Sequence, residues 1–114
     1  MGRIEKVNEQ IKRDIGFIIQ ERMSDPRLAF VSITRVDVSK DLRSAKAYFS
    51  VLGSEAQVKS AQLGLDKAKS FIRRELGHRV KMRFTPELVF KYDNSLQFGV
   101  QLEETINEIH DEHS

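Results

Sequence analysis

The chain has no cysteine, no tryptophan and only two prolines among its 114 residues. Without cysteine there is no disulfide, no thiol nucleophile and no thiolate-bound zinc. No stretch approaches the roughly 18 consecutive apolar residues that a membrane-spanning helix needs. The opening MGRIEKVNEQIKRD mixes charges and has no apolar core of the signal-peptide kind. Gly2 does not begin a myristoylation motif, because Lys6 stands where that motif wants Ser or Thr. These absences predict a soluble cytoplasmic protein with no membrane association. At 13.2 kDa and 39% hydrophobic residues the chain suits one compact domain with a modest core.

Charge is nearly balanced overall, at a formal +2, but it is unevenly placed. Residues 67–83 hold Lys67, Lys69, Arg73, Arg74, Arg79, Lys81 and Arg83 against a single acid, Glu75. Residues 84–114 hold only Lys91 against seven acids. A basic stripe beside an acidic end points to a polyanionic partner for the stripe.

Periodicity outlines the elements. Ile4, Val7, Ile11, Ile15, Ile18 and Ile19 recur at three- and four-residue steps, which predicts an amphipathic helix over 3–22. Arg3, Lys6, Lys12, Arg13 and Asp14 are placed on its polar face, and Ser24-Asp25-Pro26 ends it. Residues 30–38 read as a strand whose apolar parity changes near Thr34, the mark of a bulge or of burial on both sides. Residues 45–52 alternate cleanly, so the two strands form an antiparallel pair across the polar 39–44 loop. A second helical region follows Ser54, a suitable N-cap, with Val58, Ala61, Leu65, Ala68, Ile72 and Leu76 as its apolar stripe. Gly64 and Ser70 interrupt it, and Gly77 suits its C-terminal cap. Residues 87–93 read as a third strand. A last helix is expected after Asn94-Ser95, with Leu102, Ile106 and Ile109 on one side. Three strands and their helices make a small α+β domain, one sheet with helices on one face.

Little here supports catalysis. His78, His110 and His113 are the only histidines, and His110 and His113 sit near the chain end among acids, where a solvated tail is the simpler reading. There is no nucleophile elbow and no phosphate-cradling glycine loop. No enzyme activity, metal, cofactor or small-molecule substrate is expected.

The basic segment is different. Lys69 and Arg73 are helical i, i+4 neighbours with Arg74 on an adjacent edge. Arg79, Lys81 and Arg83 follow at period two, which on extended backbone puts them on one side. Seven cations on a helix and the segment after it can neutralise several phosphates. The plainer alternative is a solvated helix face, but a single acid in seventeen residues argues against it. Phe71 and Phe84 read as core residues rather than a stacking platform, so shape and phosphate recognition are favoured over base readout.

Four segments in register resemble bacterial ribosome-binding factor A: Asp25-Pro26-Arg27, TRVDVSKDLRSAKAYFSV over 34–51, AKSFIRRELG over 68–77, and PELVFKYDNS over 86–95. The resemblance implies a type II KH-like domain over residues 1–110, with 111–114 a short disordered acidic tail. It implies a helix–kink–helix at Ala68-Lys69-Ser70, where Ser stands in place of the family's usual Gly. It also implies a non-catalytic factor, a monomer when free, that binds the free 30S ribosomal subunit and its 16S rRNA. That factor assists late maturation and 5′-end processing, work linked to growth in the cold. The expected RNA contacts are Lys67, Lys69, Ser70, Arg73, Arg74, Arg79, Lys81 and Arg83, with Arg3, Lys6, Lys12 and Arg13 as a second patch. The rival expectation is a protein–protein adaptor that docks an acidic protein surface on the same stripe.

Overall fold

A computed structural model describes residues 2–94. The helix expected after Asn94, the histidine pair and the acidic tail lie outside the described residues.

The first helix, α1 (Arg3–Glu21), forms where the isoleucines recur, and it buries Ile11, Ile15, Ile18 and Ile19. Its start is stabilised by the Gly2 N–H, which donates to the Glu5 carboxylate at 3.1 Å. After α1 the chain turns through a short 3₁₀ segment, Pro26–Leu28, with Asp25 as its cap. The Asp25 carboxylate accepts from the Arg27 backbone N–H at 2.9 Å and from the Arg27 guanidinium at 2.7–3.1 Å. Those hydrogen bonds, from the side chain first, hold its carboxyl below the usual carboxylate range.

Strand β1 (Val31–Val38) pairs antiparallel with β2 (Ser44–Val51), and the register slips between Ile33 and Arg35. That bulge explains the change of parity. It brings Val36 opposite Ala47 and Val38 opposite Ala45, on the face already occupied by Val31 and Ile33. Phe30, which shares the sequence parity of Val36 and Val38, lies outside the strand and is 64% exposed. Strand β3 (Glu87–Tyr92) adds parallel to β2, giving the order β1-β2-β3. A parallel neighbour needs a long crossover, and helix α2 (Glu55–Arg79) supplies it. Ser54 opens α2 with a reciprocal cap: its hydroxyl accepts from Gln57 N–H, and Gln57 Oε1 accepts from Ser54 N–H at 2.7 Å.

Both helices cover one face of the sheet, and the core lies between, from Ile11, Ile15 and Ile18 through Leu65, Ile72 and Leu76 to Phe49, Leu88 and Phe90. Among the described residues the architecture is therefore the expected α+β one, a three-stranded sheet with helices on one face. The expected kink does not divide α2. Helix is continuous through Ala68-Lys69-Ser70 because the buried stripe keeps its three- and four-residue steps across them. Ser70 is simply an exposed residue of that helix. Gly77 is not the cap either, since α2 continues to Arg79.

Gly64, read as an interruption, is a packing position. A Cβ there would lie 3.2 Å from Leu28 Cδ2 and 3.4 Å from both Arg27 Nε and Asp25 Oδ2. The Asp25–Arg27 turn thus sits directly on the helix backbone. Gly64→Leu is expected to lower stability by about 1–3 kcal/mol through overpacking. Gly16, mid-helix in α1, has nothing within 4 Å of its Cβ position. Gly16→Ala should therefore raise stability by about 0.5–1 kcal/mol through helix propensity alone. Urea titration of both variants checks the pair of signs.

Candidate nucleic-acid interface

The seven cations of 67–83 do not form one line. At 3.6 residues per turn, Lys69 and Arg73 fall on one flank of α2, and Lys67 and Arg74 fall on the other. The single acid of the stretch, Glu75, faces α1 and lies 3.8 Å from Arg22 Nε. Ser70 lies between the two flanks, exposed.

Arg79 is drawn into the fold. Its Nε donates to Asp14 Oδ1 at 3.1 Å, and its guanidinium stacks 4.1 Å from the Phe17 ring centroid. Asp14, expected on the polar face of α1, is instead only 4% exposed, and its second oxygen accepts from Gln10 Nε2 at 2.9 Å. The pair joins the end of α2 to the middle of α1. Nor is the 80–84 segment a strand that lines up Arg79, Lys81 and Arg83: Arg79 is the last residue of α2, and 80–86 is a loop.

That loop is pinned to α2. The Arg73 guanidinium donates to the Thr85 carbonyl at 2.9 and 3.3 Å, and Pro86 is buried. Gly77 allows the approach, because a Cβ there would lie 2.8 Å from Thr85 Oγ1. Phe84, expected in the core, is held outward and 54% exposed. Phe71 is half-buried against the core, as expected.

Two clefts meet at Arg83 and Phe84. One is lined by Arg73, Arg74, Gly77, His78 and Thr85 in addition to those two. The other adds Arg3, Val7, Asp41, Leu42, Arg43, Lys81 and Met82. The fold thus brings Arg3, at the start of α1, to the end of the α2 stripe. Lys6, Lys12 and Arg13 stay on α1 and line neither cleft.

Arg43 escaped the sequence reading. It follows Asp41-Leu42 in the β1–β2 hairpin, and only the fold carries it to Arg83. Its backbone is fixed at both ends: its N–H donates to Asp41 Oδ1 at 3.1 Å, and its carbonyl accepts from Glu87 N–H at 2.8 Å. The Ser39 hydroxyl donates to the same Asp41 oxygen at 2.6 Å, and this bond, ahead of the Arg43 N–H, lowers the Asp41 pKa. Leu42 sits at φ 61°, the left-handed region that a branched side chain seldom adopts. The hairpin is therefore held in one shape, with Arg43 delivered beside Phe84.

Chemically, this end of the molecule can hold several phosphates. Among the described residues, Asp41 is the only acid lining either cleft. Among the described residues, no three His, Cys, Asp or Glu side chains are grouped to hold a metal, and no helix is long and apolar enough to cross a membrane.

Comparison with known proteins places the chain. The family model for ribosome-binding factor A matches residues 3–106. A ribosome-binding factor A from Acetivibrio thermocellus is 51% identical over 109 residues, covering 95% of this chain and 89% of that protein. The crystal structure of ribosome-binding factor A from Thermus thermophilus superimposes with a TM-score of 0.72 at 28% identity, over 81% of this chain and 97% of that one. A second Thermus thermophilus structure, a homology model of the factor fitted into the cryo-EM map of its complex with 30S, gives 0.64 at 29% identity, over 76% and 91%.

Proposed function

This chain belongs to the ribosome-binding factor A family, and from that premise we propose that it is a non-catalytic assembly factor of the small ribosomal subunit. It binds the free 30S subunit by contacting 16S rRNA, and it assists late maturation of that RNA, including processing at its 5′ end. One observation carries the reading on this chain's own residues. Arg3, Arg43, Arg73, Arg74, Lys81 and Arg83 converge from three separate parts of the chain on two adjoining clefts that hold one acid, Asp41, among the described residues. A helix that merely solvates itself would not recruit cations from a hairpin and from another helix. The Thermus relative fitted with 30S supports the same partner.

The mechanism is occupancy. The factor is a cytoplasmic monomer until it docks, and docking favours one arrangement of immature rRNA over others by differential affinity. Lys67, Lys69 and Ser70 extend the contact along α2; Lys6, Lys12 and Arg13 offer a second patch on α1. Arg79 is set apart among the expected contacts because its charge is paired with the buried Asp14 carboxylate, whereas Arg73 donates only to a neutral carbonyl, that of Thr85.

Sedimentation with purified small subunits tests the reading. The chain should pellet with them at low salt and be released as salt rises; a chain left in the supernatant at low salt refutes it. Ribonuclease treatment of a recovered complex separates the adaptor alternative, which would keep its partner after RNA is removed. The cellular part has its own test. Cold-grown cells lacking the protein should accumulate 16S precursor with an unprocessed 5′ end, and normal ends there would remove that part of the proposal.

A further inference from the structure

The geometry points to Phe84, flanked by Arg43 and Arg83, as a stacking site for one unpaired nucleotide of single-stranded RNA. This rests on the RNA-binding reading above and names a site within it.

The ring's exposure is the first reason. Phe49 and Phe90 are 0% and 4% exposed and belong to the core, whereas Phe84 stands 54% exposed on the ridge between two cationic clefts. An exposed aromatic on a mobile tip would mean little. Here the backbone is restrained on both sides, by the Arg73 bonds to the Thr85 carbonyl and by the Met82 N–H bond to the Val80 carbonyl at 3.1 Å.

The second reason is how loosely the ring is covered. The guanidinium carbons of Arg83 and Arg43 lie 5.5 and 5.7 Å from the Phe84 centroid, near the roughly 6 Å limit of a cation–π contact. Two other ring contacts are much tighter, 4.1 Å for Arg79 on Phe17 and 4.2 Å for Arg35 on Tyr48, and the one that is equally loose, Arg74 on Phe71 at 5.8 Å, lies over a half-buried ring. The two arginines around Phe84 thus border the ring without sealing it. A base can lie on the ring while its phosphates meet Arg43, Arg83 and neighbouring Lys81. Bases within a duplex have both faces occupied by neighbours, so the site selects a nucleotide outside a helix.

A second exposed apolar surface does not share this chemistry. Phe30 and Leu52, 64% and 81% exposed, border a cleft whose one cation among the described residues, Arg27, is bound to Asp25. Exposure alone does not make a nucleotide site; exposure among unsealed cations does.

The test uses a single-stranded oligoribonucleotide carrying one 2-aminopurine, and the same strand annealed to its complement. With the wild-type chain the single strand should bind more tightly than the duplex, with a change in 2-aminopurine fluorescence as the base stacks. Phe84→Leu should weaken single-strand binding about five- to a hundredfold and abolish that change. It should leave duplex affinity within about twofold and leave the salt dependence intact, since no phosphate contact is removed. Phe84→Tyr should restore binding. Arg43→Gln, an exposed change that spares the ring, should independently weaken the single-strand complex. Unchanged affinity and fluorescence in Phe84→Leu, or a wild-type chain that ignores the oligonucleotide, would overturn the stacking site. If the wild-type chain still sediments with small subunits in that case, the function stands and only the site falls. If it does not sediment, the RNA-binding reading falls as well.

Discussion

Arg79→Ala is expected to destabilise the protein by about 2–4 kcal/mol while leaving the salt dependence of RNA binding unchanged. The largest part comes from Asp14, a carboxylate 4% exposed that would keep, among the described residues, only Gln10 as a hydrogen-bond partner. A buried charged acceptor stripped of its partner costs about 1–3 kcal/mol. Loss of the 4.1 Å contact with Phe17 adds roughly 0.5–1 kcal/mol. For a domain of this size the melting temperature should fall by about 10–20 °C. The effect is asymmetric. The Arg79 side chain is 36% exposed and can rehydrate when Asp14 is replaced by Ala, so that variant should lose less. Asp14→Leu combined with Arg79→Met should recover much of the loss, because the pair was carrying its own desolvation. Thermal melts of the three variants check the order. A slope of log affinity against log salt that flattens by about one, with an unmoved melting temperature, would show that Arg79 binds phosphate instead.

The converse result is expected for Lys69, Arg74, Lys81 and Arg83, which make no ion pair with another described residue. Replacing all four by Ala should lower affinity for small subunits by roughly a hundredfold near 0.1 M salt, taking about 0.7 kcal/mol per surface contact. The salt slope should flatten by about three, at 0.7–0.9 per phosphate contact. Stability should change by no more than about 1 kcal/mol, since exposed substitutions away from caps and buried pairs rarely do more. Together the two variants split the basic stretch into a structural arginine and a binding set. An unchanged slope in the fourfold variant would mean these side chains do not meet phosphate.

Much of the fold was legible because it follows short-range rules. The isoleucines of α1, the alternation of β2 and the Ser54 cap each declare themselves within a few residues. Even the β1 bulge showed as a change of parity at Thr34. Legibility failed where two distant segments decide together. Asp14 lies three residues after Ile11 and four before Ile18, on the apolar stripe by spacing, but its partner is 65 residues away. Gly64 looked like a defect because the turn it accommodates, Asp25–Arg27, lies outside the helix. Gly77 looked like a cap for the same reason, its neighbour being Thr85. The kink at Ser70 came from resemblance rather than from the residues, and the unbroken apolar stripe decided against a division there.

Within the site, the basic stretch was visible as charge, but its geometry was not. Arg43 carries no local mark of function, and Arg3 seemed to belong to a separate patch on α1. Phe84, expected in the core, was the missed clue: it is an aromatic between Arg83 and Thr85-Pro86, outside every apolar period. A residue that fits no period has no core position reserved for it.

The central claim is that the end of the molecule built by Arg43, Lys81, Arg83 and Phe84 faces 16S rRNA. Photo-cross-linking from a probe at Lys81, in a complex with purified 30S subunits, tests it most directly. Cross-links to 16S rRNA are expected, clustered at unpaired nucleotides. Cross-links confined to ribosomal proteins, with none to RNA, would contradict it.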